Sequence, residues 1–516
     1  MLNQQVLLIH VPVVLPGTSF SCSGWLDNKK RRFKDDFMFG VGTSAYQIEG
    51  AWNEDGKSES IWDRFIHEKP ERVLGSENGD VACDSYHLNK RDVEMLREIG
   101  AQFYRFSISW SRFMQTDDPE NLNEQAFTYY DKLIDDLVKY NIKPVITLYH
   151  WDLPQKIQDL GGWLNPKVID WFKVYSRFLF KRYASKVKYW ITVNQPNTVC
   201  LDGYGTGLGA PGIIGDGQKE YLCMKHILLA HAQVYHVYKK EYKQKHKGQV
   251  GIALSVNWFD PLTNSTEHKD KAEEIRQFAI GVFANPIFSK EGDFPDVVKR
   301  IVAKKSAEEG LPKSRLPKFC PSEIDLLKGS ADFLGMNHYT TFLVEEGQGK
   351  DPAPSVRNDM DMYLTQSPEW RQSKAVWMKS APYGIYKALL WINKMYDYPQ
   401  ILITENGWAT ETGLNDTSRI EYIRNYLDAL LLAIEDGSQV KGYTYWSLMD
   451  NFEWIFGYTD RFGLYEVDFA SATKTRTPRL SAMIYKKIIE TGLVDHEYNP
   501  KYKKLALARK SKREEL

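Results

Sequence analysis

The chain has 516 residues, 43% of them hydrophobic and 26% charged, the proportions of an ordinary globular protein. Sixty-seven Lys and Arg balance 67 Asp and Glu, so net charge offers no case for nucleic acid or an anionic membrane surface as a partner. The five cysteines (Cys22, Cys83, Cys200, Cys223, Cys320) show no C-x-x-C and no metal-like spacing with histidine. Their odd count speaks against a disulfide framework, allows at most one or two bridges and favours buried free thiols.

In chain order, residues 1–32 read as a leader and N-terminal extension. An apolar run at 6–15 precedes small residues at Ser19, Ser21 and Ser23 that resemble a cleavage region, although a basic start is missing and His10 and Pro12 interrupt the run. Asn264-Ser265-Thr266 and Asn415-Asp416-Thr417 fit the N-glycosylation pattern. Together these features point to the secretory pathway, with the cytoplasm as the alternative. Residues 33–494 read as one domain, without a linker or a break in composition. Short apolar, β-branched or aromatic runs at 37–44, 103–109, 144–150, 189–194, 250–256, 333–339, 401–405 and 442–446 predict strands. Amphipathic stretches between them, at 124–140, 166–184, 221–243, 269–283 and 418–435, predict helices. Eight strands separated by helices predict parallel βαβ units and an α/β, single-domain (β/α)8 TIM barrel. The competing open sheet would carry a Gly-rich phosphate loop after an early strand, and none is present. Residues 495–516 read as a charged, solvated tail, whose last four, Arg513-Glu514-Glu515-Leu516, resemble a K-D-E-L retention signal. No run is long and apolar enough to span a bilayer.

Polar residues gather at the C-terminal ends of the predicted strands: Gln47, Arg105, His150-Trp151, Asn194-Gln195, Asn337 to Tyr339, Glu405-Asn406 and Trp446. A buried strand gains nothing from polar ends, whereas barrel enzymes assemble their sites there. Aromatic content is high at 13%, with 15 Trp and 30 Tyr, which serves core packing and also suits flat sugar-binding faces.

The segments FMFGVGTSAYQIEGAWNEDGKSESIWD, YRFSISWSR, LYHWDLP, WITVNQP, GMNHY, ITENG and YWSLMDNFEW occur in the order and spacing of the family 1 glycoside hydrolases. The resemblance spans about 33–491 and looks closest to insect and other animal β-glucosidases. It implies hydrolysis of a small β-glucoside with retention at the anomeric carbon, and no metal or organic cofactor. Retaining glycosidases place two carboxyl groups about 5–5.5 Å apart, one attacking the anomeric carbon and one handling the proton of the leaving group and then of water. By resemblance Glu405 is the nucleophile, with Arg105 and Tyr339 against it. A guanidinium beside a carboxylate favours its charged, attacking form. Gln47, His150, Asn194 and Glu453 are the implied partners of the glucose hydroxyls. Trp446 is the implied stacking face, and Trp454 supplies surface and an N–H donor.

The departure is Gln195, which stands in Thr192-Val193-Asn194-Gln195-Pro196 where the family's acid/base is a glutamate. An amide nearly matches a carboxyl in shape but cannot supply the proton, and general acid–base assistance is commonly worth about 10²–10⁴-fold. Three readings compete. The substrate could carry a leaving group that departs unprotonated, as in the family's plant thioglucosidases (myrosinases), with an external base such as ascorbate assisting the second step. The chain could be an impaired protein that only binds glucosides. Or an ordinary O-β-glucosidase could carry a compensated or introduced glutamine. Survival of the glucose-binding set favours the first, a thioglucosidase. Against a sulfated aglycone, residues 196–218 contain Asp202 and Asp216 but no basic side chain. Lys350 and Arg357 are the other candidate cations. Fold alone does not fix function, so a carbohydrate-binding role on the same barrel stays open, as does monomer against homodimer.

Overall fold

A computed structural model describes residues 31–113, 123–347, 354–502 and 505 of the chain. Eight strands close into a parallel barrel: β1 (Met38–Gly42), β2 (Phe103–Ser107), β3 (Lys143–Tyr149), β4 (Tyr189–Asn194), β5 (Gln249–Ser255), β6 (Phe333–Asn337), β7 (Ile401–Asn406) and β8 (Val440–Trp446). Each pairs with its neighbours in sequence, and β1 meets β8 from Met38↔Gly442 to Gly42↔Trp446. All eight expected strands are present, with ends within two residues of the predicted ones.

Alternation along the strands sorts their residues onto two faces. Phe103, Val145, Ile191, Ala253, Phe333 and Leu402 form an apolar cluster of their own, one residue from each of six strands, with Met38 and Tyr189 against it. Two residues further along, Phe103 gives way to Arg105, Val145 to Thr147 and Leu402 to Thr404, all buried. The barrel interior therefore changes from an apolar plug to a polar layer toward the C-terminal ends. The intervening residues, such as Tyr104, Ile146, Trp190 and Ile403, join the larger core under the helices.

The outer layer includes α1 (Ser85–Ile99), α2 (Glu124–Lys139), α3 (Val168–Tyr183), α4 (Lys219–Glu241), α5 (Thr266–Arg276), α6 (Tyr383–Tyr396), α7 (Thr417–Glu435) and α8 (Leu480–Thr491). In α2, Asn123 caps the N-terminus by accepting from the Gln125 amide, and Ala126, Phe127, Tyr130, Leu133, Ile134 and Leu137 make the three–four spaced buried stripe. The helix expected at 269–283 starts earlier, capped by Ser265. It runs through a π turn (Gln277–Gly281) into a further helix (Val282–Phe288). A three-stranded sheet (Trp258–Pro261, Thr341–Glu346, Met362–Thr365) lies outside the barrel and was not expected.

The cysteines correct one expectation. Cys200, on the short helix Pro196–Tyr204, is disulfide-bonded to Cys223 of α4, with Cα atoms 5.6 Å apart. Both residues sit in the connection from β4 to β5, and only its folding back brings them together. Cys83 is a buried thiol, as expected, but Cys320 is exposed. The leader through residue 30, the last eleven residues, Cys22 and Lys350 lie outside the described residues. The start of the predicted tail is not merely solvated: His496 pairs with Asp428 at 2.7 Å, and Leu505 is buried. Among the described residues no helix is long and apolar enough to cross a membrane, and no His/Cys/Asp/Glu group could hold a metal ion.

Candidate active site

A cavity of about 750 Å³ occupies the C-terminal mouth of the barrel. Gln47, His150, Asn194, Gln195, Tyr339, Glu405, Trp446, Glu453 and Trp454 all line it. Arg105, the remaining expected residue, is fully buried behind Glu405. Residues spread over more than four hundred positions thus converge because the parallel strands all end on one side.

Two of the strands break regular pairing where they enter the site. Register shifts occur in β4 between Ile191 and Asn194, and in β7 between Ile403 and Glu405. Such irregularities re-aim side chains, here those of Asn194 and Glu405. Gly407 follows in the ITENG segment because a Cβ there would collide with the Trp446 carbonyl oxygen.

Arg105 is the centre of the polar layer. Its Nη1 donates to Glu405 Oε1 (2.7 Å) and to the Thr404 carbonyl (2.8 Å). Its Nη2 donates to Asn194 Oδ1 (2.8 Å), and its Nε to Thr147 Oγ1 (3.2 Å). The other Glu405 oxygen accepts from the Tyr339 hydroxyl at 2.8 Å. Burial and the Glu405 charge push the Tyr339 hydroxyl well above its ordinary pKa, so it stays a donor. Tyr339 is itself held by Asn257, whose Oδ1 accepts from the Tyr339 amide at 3.0 Å.

Asn194 has its amide orientation fixed by two donors. Arg105 and the Asn337 Nδ2 (2.9 Å) both reach its Oδ1, which leaves Nδ2 to donate to His150 Nε2 at 3.0 Å. Burial, and then the Arg105 charge, hold His150 well below the usual histidine range, so its ring is neutral and Nε2 can accept. Opposite, Gln47 donates to Asn451 Oδ1 (2.8 Å), to the Phe452 carbonyl (2.9 Å) and to Glu453 Oε2 (3.3 Å). Burial, then Asp460 and Glu405, raise Glu453 well above the usual carboxylate range. Trp454 is an aromatic hub, with ring centroids 4.5 Å from Trp151, 4.7 Å from Trp62 and 6.1 Å from His150.

Gln195 is the N-cap of the helix Pro196–Tyr204 and takes a left-handed backbone, φ 44°. Trp151 (φ 79°) and Trp454 (φ 56°) share that region, which costs a non-glycine residue on the order of 1–3 kcal/mol. Three such residues around one cavity are a concentration of strain typical of a working site. Thr198 makes a long contact of 3.4 Å with the Gln195 amide oxygen.

Sequence reasoning missed most of the outer wall: Trp62, Val199, Leu208, Asn257, Phe342, Val376, Trp377, Phe456 and Phe462. Apart from Phe342, on the outer strand Thr341–Glu346, these sit on loops and short helices, where neither barrel-strand ends nor periodicity mark them. Asp202, which the sequence marks only as a charge among residues 196–218, lines the same wall. Arg357 is exposed on the short helix Val356–Met360 and is not among the lining residues. No Lys or Arg lines the cavity among the described residues.

The profile of glycosyl hydrolase family 1 matches residues 29–493. The chain belongs to glycosyl hydrolase family 1. It is 44% identical over 464 residues to Myrosinase 1 of Brevicoryne brassicae, covering 89% of this chain and 99% of that one. It is 40% identical to the cytosolic β-glucosidase of Cavia porcellus, covering 89% and 98% respectively. Among solved structures, an aphid myrosinase superposes with a TM-score of 0.86 at 43% identity, covering 90% of this chain and all of that one. A Glu-to-Gln mutant of a rice β-glucosidase, in a covalent complex with glucose, superposes with a TM-score of 0.83 at 35% identity, over 88% of this chain and 98% of that one. The expected barrel and the expected glycoside hydrolase class are both in place.

Proposed function

We propose that this family 1 enzyme hydrolyses β-glucosides with retention, using Glu405 as nucleophile, and that Gln195 limits it to aglycones that leave without a proton. The observation that carries this reading is the shared cavity: a braced carboxylate at the end of β7 and an amide just after β4 face the same space. Both Glu405 oxygens are held by donors, which fixes the carboxylate's orientation for attack. In the first step a Glu405 oxygen bonds the anomeric carbon, and the bond to the aglycone breaks with its electron pair on the leaving atom. Gln195 has no proton to give, so that atom must tolerate the charge. In the second step water cleaves the glucosyl ester, and its proton passes to solvent or an added base, because the amide accepts none.

Thioglucosides are a class that leaves in this way, and the 44% identity to Myrosinase 1 supports them for this chain. An O-glucoside with an acidic aglycone satisfies the same requirement. Gln47, His150, Asn194 and Glu453 serve the glucose hydroxyls, with Trp446 and Trp454 as apolar faces. The Glu-to-Gln rice mutant holding covalent glucose supports the idea that a family member bearing such an exchange can be caught glycosylated. For location, the Cys200–Cys223 bridge and the exposed Asn264 and Asn415 support the secretory pathway, where disulfides persist.

The test is a trapping experiment. A 2-deoxy-2-fluoro glucoside with a good leaving group should add one fluoroglucosyl unit to the peptide carrying Glu405. With an activated aryl glucoside, an aglycone burst should precede slow turnover, and azide should speed the slow phase. Labelling on another residue would refute the nucleophile assignment. Absence of any turnover would leave a glucoside-binding protein.

A further inference from the structure

The helix Pro196–Tyr204 turns one face to the cavity. Gln195, Thr198, Val199, Asp202 and Gly203 line it, at the three- and four-residue spacing of a single helical face. Asp202 lies seven residues beyond Gln195, which is about 10 Å along the helix axis. It is therefore too far away to replace the missing acid at the glycosidic bond, and it belongs to the part of the cavity that takes the aglycone. Its surroundings are apolar: the Cβ of Asp202 packs near Gly209, which in turn lies against Trp62. Val199, Leu208, Phe342, Trp377 and Phe456 continue the wall.

Asp202 is half-buried at this wall. No described side chain donates to Asp202 or pairs with it. Burial alone raises its pKa, to about 6. The contrast with Glu405, held by Arg105 and Tyr339, is direct. With no Lys or Arg on the cavity lining among the described residues, an anionic group on the aglycone would face Asp202 without a counter-charge from them.

Resting on the glucose-binding role of this cavity, we propose that Asp202 selects the aglycone: the substrate carries an aromatic ring with a hydrogen-bond donor at its far end, and sulfated or carboxylated aglycones are excluded. A para-substituted phenyl ring, together with one hydrogen bond, reaches about 10 Å, the rise that separates Gln195 from Asp202 along the helix. The aromatic wall supplies faces for the ring, and Asp202 supplies the acceptor. The donor could be a hydroxyl or an ammonium, and the two are separate arms of the test.

Aryl C-β-glucosides bind without being cleaved, so calorimetry on the intact protein isolates recognition from chemistry. Four probes suffice: phenyl, 4-(hydroxymethyl)phenyl, 4-(aminomethyl)phenyl and 4-carboxyphenyl. The two donor-bearing probes should bind more tightly than phenyl, and the carboxylate more weakly, by roughly tenfold each way. Asp202→Asn should flatten this order while leaving phenyl affinity unchanged, which also shows the site is intact. Asp202→Lys should reverse it, making the carboxylate the tightest of the four. Equal binding of all four to the parent, or an unchanged order in Asp202→Asn, overturns the assignment of Asp202 but not the glucose site. Failure of all four to bind would overturn the glucose site as well.

Discussion

The two ends of the cavity are built differently. At the sugar end the polar groups are cross-braced: Arg105 ties Glu405, Asn194, Thr147 and the Thr404 carbonyl together, and Gln47 is tied to Asn451, the Phe452 carbonyl and Glu453. At the aglycone end the walls are aromatic and aliphatic, no described side chain pairs with Asp202, and the Gln195 amide has one long contact. On the proposed reading, a site organised in advance at one end and loosely specified at the other recognises its sugar by hydrogen bonds and its aglycone by shape and one charge. In the proposed reading Gln195 lies on the border, where glucose recognition ends and leaving-group chemistry begins.

Substitutions at the two ends should separate this contrast. The largest loss should come from Glu405→Gln, which removes the proposed nucleophile and should lower kcat by about 10⁴-fold or more, measured by steady-state turnover of an activated aryl glucoside. Glu453→Gln should lower kcat/KM by on the order of 10²-fold, mostly through kcat, if its hydroxyl contacts strengthen in the transition state. Tyr339→Phe leaves Glu405 with Arg105 but deletes one donor, and should cost about tenfold in kcat with little change in KM. The smallest catalytic effect belongs to the outer wall. Replacing Cys200 and Cys223 by Ala should cost about 3 kcal/mol of stability, read as a lower melting temperature, and should act on KM more than on kcat. A Tyr339→Phe variant as damaged as Glu405→Gln, or a disulfide variant impaired mainly in kcat, would erase the distinction between the two ends.

The sequence carried the sugar end far better than the aglycone end. Strand ends such as Asn194-Gln195 and Glu405-Asn406 are visible because a polar residue at the close of an apolar run has no structural motive. Barrel closure followed from counting strands, since parallel neighbours in sequence order leave few other topologies. The register shifts that aim Asn194 and Glu405 leave no such trace. Nor do Trp377 and Phe462, which reach the cavity from loops, or Phe342, on a strand outside the barrel. The Cys200–Cys223 bridge depends on two helices folding back on each other, which spacing does not encode. Asp202 could have been found by extending the helix from Gln195 and following its three–four face.

The central claim, that Gln195 leaves the aglycone to depart unprotonated, is tested most directly by a linear free-energy series. Log kcat/KM should be measured for aryl and alkyl β-glucosides over a wide range of aglycone pKa, in the parent and in Gln195→Glu. In the parent the rate should fall steeply as aglycone pKa rises. In Gln195→Glu the slope should be much shallower, with alkyl glucosides gaining about 10²-fold or more. Rapid cleavage of alkyl glucosides by the parent, with a shallow slope that Gln195→Glu leaves unchanged, would contradict it and show that another residue supplies the proton.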